Sequence, residues 1–169
     1  MERALLFTGT VGVGKTAMAL AVGEALSAQG RSVAVIDLDW LGWLWPAGRA
    51  DQLMAANLAA IADNYRAAGV QDLVLARLLL RGDALVALRA ALPGIPMPVV
   101  RLTASTATVQ ARLRRRDSGR ELEEHLGEFE HYAELETAVP ADVVVANDGR
   151  PLEEVAREIL CQLQSFGWV

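Results

Sequence analysis

Short apolar runs alternate with stretches of helical periodicity along the whole chain. Arg3-Ala4-Leu5-Leu6-Phe7-Thr8 reads as a buried strand ending at Gly9. Ala17 to Gln29 is dense in Ala, Leu and Met, has no proline, and reads as a helix that Gly30 ends. Ser32 to Asp37 is a second strand. Asp51 to Ala68 carries Leu53, Leu58, Ile61 and Tyr65 at helical spacing and stops at Gly69. Asp72 to Arg77 is a third strand, and Asp83 is expected to cap a helix running to Leu92, where Pro93-Gly94 ends it. Met97 to Thr103 is a fourth strand, with Ser105 or Thr106 capping the helix after it. A further helix spans Glu121 to about Ala138, with Leu122, Leu126, Phe129 and Ala133 as its apolar stripe. Asp142 to Ala146 is a fifth strand, Asn147-Asp148-Gly149-Arg150 a turn, and Pro151 opens a last helix to about Leu163. This alternation predicts an α/β fold: a parallel sheet covered by helices on both faces, joined by right-handed crossovers. Functional residues are then expected beyond the carboxyl ends of the strands. No internal repeat, low-complexity tract or linker divides the chain, so residues 1–169 read as a single domain.

The first strand-to-helix junction is Gly9-Thr10-Val11-Gly12-Val13-Gly14-Lys15-Thr16, which matches G-x-x-x-x-G-K-[ST], the phosphate-binding P-loop. The strand before it and the helix after it supply the context the motif requires. Three glycines let successive N–H groups turn inward, and the helix N-terminus adds partial positive charge. Gly9, Gly12, Val13, Gly14, Lys15, Thr16 and Ala17 are the candidate nucleotide contacts. Lys15 is expected to reach the β/γ-phosphates of ATP and the Thr16 hydroxyl to bind Mg²⁺. Lys15 is the one lysine of the chain, all other basic residues being arginine, so a lysine is required here. The competing explanation is a glycine turn that merely links a strand to a helix.

The second strand ends Val35-Ile36-Asp37-Leu38-Asp39-Trp40. Two carboxylates two apart point the same way while strand geometry lasts. Phosphoryl transfer needs one group to hold the metal and its waters and another to orient the incoming hydroxyl. Asp37 is assigned to the first role and Asp39 to the second, the alternative being a helix-capping or loop-solvating pair. The third strand offers no separate metal carboxylate, which strengthens the assignment of Asp37.

With the P-loop and the D-x-D in place, Asn57-Leu58-Ala59-Ala60-Ile61-Ala62 through Ala67-Ala68-Gly69 and an apolar third strand make the chain resemble adenylyl-sulfate kinase. Its later part resembles the wider group that includes chloramphenicol phosphotransferase, gluconate kinase and shikimate kinase. The resemblance implies a five-stranded parallel sheet in the order 2-3-1-4-5 and ATP-dependent transfer to a small hydroxylated acceptor. It also carries Asn57 over as an acceptor contact. Two arginines that bind the sulfonucleotide in adenylyl-sulfate kinases are replaced here by Gly42 and Met54. In such kinases a segment like Arg112-Leu113-Arg114-Arg115-Arg116-Asp117-Ser118-Gly119-Arg120 closes over ATP as a lid, here about residues 112–122, with Gly119 as hinge. The resemblance places Arg112 to stack on adenine and Arg116 to contact phosphate, and the Asn147–Pro151 stretch, including Arg150, beside the base. A solvated face paired with Glu121, Glu123 and Glu124, and a plain turn before the last helix, are the respective alternatives.

Trp40, Trp43 and Trp45, with Leu41 and Leu44 between them, either seal the core or line an apolar acceptor pocket near Gly42, Pro46 and Gly48. Arg49, Arg77 and Arg81 are candidate polar contacts there. The formal net charge of −5 argues against a general nucleic-acid binder. No run approaches membrane-spanning length and no signal peptide precedes the first strand, so a cytoplasmic protein without membrane or nucleic-acid partners is expected, as monomer or homodimer. Cys161 is expected as a small core residue, and His125 and His131 as surface or structural residues without metal-ligand spacing. Phe166 and Trp168 dock either on the core or on a second subunit. The leading function is therefore an ATP- and Mg²⁺-dependent kinase of a small non-nucleotide acceptor. A nucleotide or nucleoside kinase, and an ATP-binding regulatory module, are the alternatives.

Overall fold

The computed structural model describes residues 1–45, 50–132 and 135–168. Five strands, β1 (Arg3–Thr8), β2 (Val33–Asp37), β3 (Asp72–Ala76), β4 (Val99–Thr103) and β5 (Val143–Ala146), form one sheet in the order β2-β3-β1-β4-β5. Every neighbouring pair is parallel, with Leu5 beside Val74 and Leu6 beside Val99. The order reverses beside β1, so the loop that follows it lies at a topological switch point.

Helices cover both faces. On one side α1 (Lys15–Ala28) and α6 (Leu152–Gln162) bury Met18, Val22, Leu26, Val155 and Ile159 against Leu5, Phe7 and Val100. On the other, α2 (Ala50–Ala67) and α3 (Gly82–Ala91) bury Met54, Leu58, Leu85 and Leu88 against Leu6, Leu73, Leu75 and Val99. A satellite core of Val109, Leu113 and Phe129 joins α4 (Thr106–Arg116) to α5 (Gly119–Tyr132), with Leu122 and Leu126 against it. Strand side chains alternate between the two cores, which is why the central strands read as continuous apolar runs.

Several boundaries differ from expectation. Asp83 lies inside the first turn of α3, with Arg81 at the capping position, and Asp83 pairs with Arg81 instead of capping the helix. Ser105, of the two candidates, caps α4 by accepting from the Thr108 N–H. The helix expected to run from Glu121 to Ala138 begins at Gly119 and ends at Tyr132, and Leu135–Ala138 is a separate 3₁₀ turn. Ala133 lies outside the described residues. Cys161 is exposed, because α6 turns Val155, Ala156, Ile159 and Leu160 inward and Cys161 falls outside that stripe. Trp168 docks on the core of its own chain, fully buried beneath the Arg3 guanidinium, while Phe166 remains partly exposed.

The strand ends opposite the P-loop are tied by charge. Asp72 is fully buried and accepts from Arg3 and Arg31, and Arg31 also pairs with Glu2. Burial pushes the Asp72 carboxyl up, but the hydrogen bonds from Arg31 and Arg3 outweigh it and hold it below its ordinary value.

Candidate active site

After β1 the chain curls through Gly9–Gly14 and enters α1 at Lys15. Gly9 has φ +136°, and a Cβ there would stand 2.5 Å from the Leu102 carbonyl oxygen, so the loop passes β4 only without a side chain. Gly14, left-handed at φ +100°, caps α1. The first turn of α1 holds no acidic residue, so its free amides and positive dipole end are left to an outside anion. Lys15 Nζ donates to the Thr10 carbonyl at 3.1 Å, folded back over the loop.

Asp37 ends β2 directly opposite. The Thr16 hydroxyl donates to Asp37 Oδ2 at 2.6 Å, and Asp37 Oδ1 accepts from the Asp39 amide at 3.1 Å. The second bond caps a 3₁₀ turn, Leu38–Leu41. Asp37 and Asp39 therefore share the cleft because the chain tightens into a turn, not because strand geometry continues to Asp39. Arg77, just past β3, donates to Asp39 at 3.1 Å and to Asp51 at 2.7 Å. Asp39 is half open to the cleft, yet desolvation by the surrounding walls raises its pKa; Arg77 opposes this, Asp37 adds to it and Lys15 opposes it.

The arginine run is helical rather than a loop: Arg112, Arg114, Arg115 and Arg116 occupy the last turns of α4, and Gly119 opens α5 with φ +55°. Arg112 donates to the Val13 carbonyl at 2.9 Å and to the Asn147 carbonyl at 2.6 Å, and Asn147 Nδ2 donates to the same Val13 carbonyl at 3.1 Å. Arg112 thus bridges the P-loop to the loop after β5. That loop is held in turn by Asp148, which accepts from the amide and hydroxyl of Ser105. Arg150 is turned onto Glu154 and Glu158 of α6 at the edge of the cleft. Arg116 forks onto Asp117 with bonds of 2.6 and 2.8 Å.

The indoles do not seal the core. Trp40, Trp43 and Trp45 are 68%, 61% and 80% exposed, and they contact one another in sequence, with centroids 4.6 and 6.1 Å apart. Trp40 and Trp43 line the cleft beside Asp39. Asn57 spends its amide on the Leu41 carbonyl at 2.8 Å and so fixes the turn that carries Asp39 and Trp40. Gly42 lies against α2, where a Cβ would stand 3.2 Å from the Ala50 carbonyl oxygen, and Met54 is buried in the core. Arg81 is turned to Asp83. Pro46, Gly48 and Arg49 lie outside the described residues.

These walls enclose a cleft of about 970 Å³ over the carboxyl ends of the strands. It brings together Gly12, Gly14, Lys15, Thr16, Ala17, Asp37, Asp39, Trp40, Trp43, Arg112, Arg116, Asn147 and Arg150, while Gly9, Val13, Asn57 and Arg77 are not among its lining residues. Among the residues lining it, His125, Glu121 and Glu128 of α5 were not anticipated for the site. A partial signal is present in the sequence: Glu121, His125 and Glu128 fall at helical spacing on one face of α5.

No protein-family model and no curated protein matches the sequence. Solved structures do resemble the whole chain. A sugar kinase from Janibacter sp. HTCC2649 aligns with TM-score 0.68 at 17% identity, over 97% of this chain and 95% of that one. The APS kinase of Mycobacterium tuberculosis, solved with AMPPNP and APS, aligns with TM-score 0.65 at 24% identity, over 96% and 98%. A shikimate kinase from Bacteroides thetaiotaomicron aligns with TM-score 0.64 at 17% identity, over 96% and 98%. The chain has the P-loop kinase fold. This likeness and the sheet order agree with the fold expected from the sequence.

Proposed function

We propose that the protein is an ATP-dependent phosphotransferase that moves the γ-phosphoryl group to a hydroxyl of a small, non-nucleotide acceptor. The observation that carries this reading is the 2.6 Å bond from Thr16 to Asp37. It sets a P-loop hydroxyl and a carboxylate side by side at the mouth of a helix with no side-chain cap, a hard oxygen pair suited to Mg²⁺ and its waters. Thr10 Oγ1 of the P-loop and Asn147 Oδ1 of the loop after β5 are buried without a hydrogen-bond partner, which leaves polar atoms in reserve on both loops. Mg²⁺, when bound, neutralises charge on the β- and γ-phosphates.

The chain's own residues supply the rest. The P-loop amides and Lys15 hold the phosphates, with Lys15 exchanging the Thr10 carbonyl for an anion. Asp39, whose raised pKa makes it a better proton acceptor than an ordinary aspartate, orients the acceptor hydroxyl and takes its proton. Arg112 and the Asn147 loop fit the base end, and Arg116 faces the transferring group. Trp40 and Trp43 offer a flat apolar wall to the acceptor. The kinases named among the similar structures act on a sugar, APS and shikimate, which supports a small hydroxylated acceptor here. Among the described residues no helix is long and apolar enough to cross a membrane. An acceptor screen that follows ATP consumption tests the proposal. Transfer to a hydroxylated small molecule is expected; ATP binding without any transfer would favour a regulatory module, and transfer confined to nucleosides or nucleotides a nucleoside or nucleotide kinase.

A further inference from the structure

We propose that His125 is a positioning residue for Arg116: it takes over the buried Asp117 carboxylate when Arg116 turns from it to the transferring phosphoryl group. This rests on the phosphotransferase reading and assigns a device within that site.

Asp117 closes α4, and its side chain is only 3% exposed. Arg116 Nε and Nη2 hold its two oxygens, and His125 Nδ1 lies 2.8 Å from Oδ2. The same Nδ1 lies 3.0 Å from Arg116 Nη2. One ring nitrogen cannot serve both neighbours. With a proton it donates to Asp117 and can accept nothing from Arg116; without one it accepts from Arg116 but sets its lone pair against a carboxylate oxygen. Asp117 stays ionised, held down to about 2 by Arg116 first and by His125 as well, against the opposing effect of burial. The proton therefore belongs on Nδ1, and a second donor already aims at Asp117 beside the arginine.

Arg116 is half exposed and lines the cleft. If it left alone, a buried carboxylate would lose its main partner, a change that strongly opposes the movement. His125 keeps Asp117 paired. Departure of Arg116 also takes Nη2 from its place 3.0 Å from Nδ1, so the ring is left to Asp117 alone. The charged groups around His125 are Arg116 and Asp117 from α4 and Glu121 and Glu128 on α5. Lys15, Arg112, Arg115, Asp37, Asp39 and Arg150 line the same cleft. Ligand atoms of Asp117, Glu121 and His125 lie within 4.8 Å of one another, but the guanidinium of Arg116 already sits on two of these three side chains. The cation they serve is the arginine.

The test has two arms. In the nucleotide-free protein, NMR should show the hydrogen bond from His125 Nδ1–H to Asp117 retained in Arg116→Ala. In turnover, His125→Leu should lower kcat on the order of tenfold while changing the KM for ATP by less than about twofold. His125→Gln, which keeps a neutral donor, should recover most of the rate. Adding Asp117→Asn to His125→Leu should restore kcat, because a neutral amide no longer retains Arg116, whereas residues with only structural roles would show added losses. Loss of the His125–Asp117 hydrogen bond in Arg116→Ala, an unchanged kcat in His125→Leu, or a deeper loss in the double variant would each overturn the proposal. A wild-type protein with no ATP-dependent transfer would instead end the kinase reading, and the His125–Asp117 hydrogen bond in Arg116→Ala would still decide whether His125 can hold Asp117 alone.

Discussion

Arg77 Nη1 donates to Asp39 Oδ1 at 3.1 Å, which places a fixed cation directly behind the carboxylate assigned to the acceptor hydroxyl. The two largest influences on the basicity of Asp39 thus oppose each other: desolvation raises its pKa and Arg77 lowers it. Asp39→Asn should reduce transfer on the order of 10²-fold or more and leave ATP binding nearly intact. Activity requires the ionised carboxylate, so it is lost as pH falls through the Asp39 pKa. Arg77→Met removes an influence that lowers that pKa, and the acidic limb of kcat/KM should move to higher pH. A limb that stays in place or moves the other way would show that Asp39 is not the group titrating.

The metal end of the cleft gives a separate prediction. Asp37→Asn keeps an acceptor for the Thr16 hydroxyl but offers metal-bound waters a neutral amide, so the Mg²⁺ concentration needed for half-maximal rate should rise. Lys15→Ala should lower kcat on the order of 10²-fold, as for removal of a preorganised donor to developing charge. Mg²⁺ titrations of transfer rate test both. An unchanged Mg²⁺ requirement in Asp37→Asn would reassign the metal carboxylate.

The sequence made the fold legible because β1 and β3 are buried on both faces and so carry the unbroken apolar runs Ala4–Phe7 and Leu73–Ala76, while glycines mark the ends of α1 and α2. The P-loop was legible because its chemistry is local: backbone amides, one lysine and one hydroxyl in a fixed order. Features that depend on packing between distant segments were not. Asp39 and Arg77 are 38 residues apart and meet only because β2 and β3 are neighbours. The indoles could not be placed by composition, since an exposed Trp and a buried one look alike until the 3₁₀ turn after β2 is seen. His125 does not stand out in the sequence because its partner, Asp117, lies eight residues back across the break between α4 and α5.

The strand ends opposite the cleft govern stability rather than transfer. Asp72→Ala would leave Arg3 and Arg31 without their shared carboxylate and should cost about 3 kcal/mol, lowering Tm by roughly 6–12 °C. The folded pKa of Asp72 is depressed, so its contribution is present above the unfolded value of about 3.9 and is lost as pH falls through the folded pKa. The Tm difference between wild type and Asp72→Ala should accordingly be full at pH 7 and shrink as the solution is acidified below about pH 4. A gap independent of pH would mean that packing, not charge, is what the substitution removes.

The acceptor side of the cleft sets the last prediction. By the resemblance to adenylyl-sulfate kinase, Gly42 and Met54 replace two arginines that bind an anionic acceptor, and neither position has room to supply charge: Gly42 abuts the Ala50 carbonyl and Met54 is buried in the core. A dianionic acceptor would forgo two charge-assisted hydrogen bonds of about 1.5–3 kcal/mol each, roughly a hundredfold or more in affinity. Arg77 does not fill the gap, because Asp39 and Asp51 already balance it. What the cleft offers instead is the face of Trp40 and Trp43, 4.6 Å apart and open to solvent, which stacks on planar or apolar surface and gives single N–H donors. The expected acceptor is neutral or weakly charged, hydroxylated and partly apolar. Such a compound should change tryptophan fluorescence and bind on the order of tenfold more weakly to Trp43→Ala, while adenylyl sulfate should do neither. Efficient phosphorylation of adenylyl sulfate would overturn this, and would direct attention to Arg49 as the source of the missing charge.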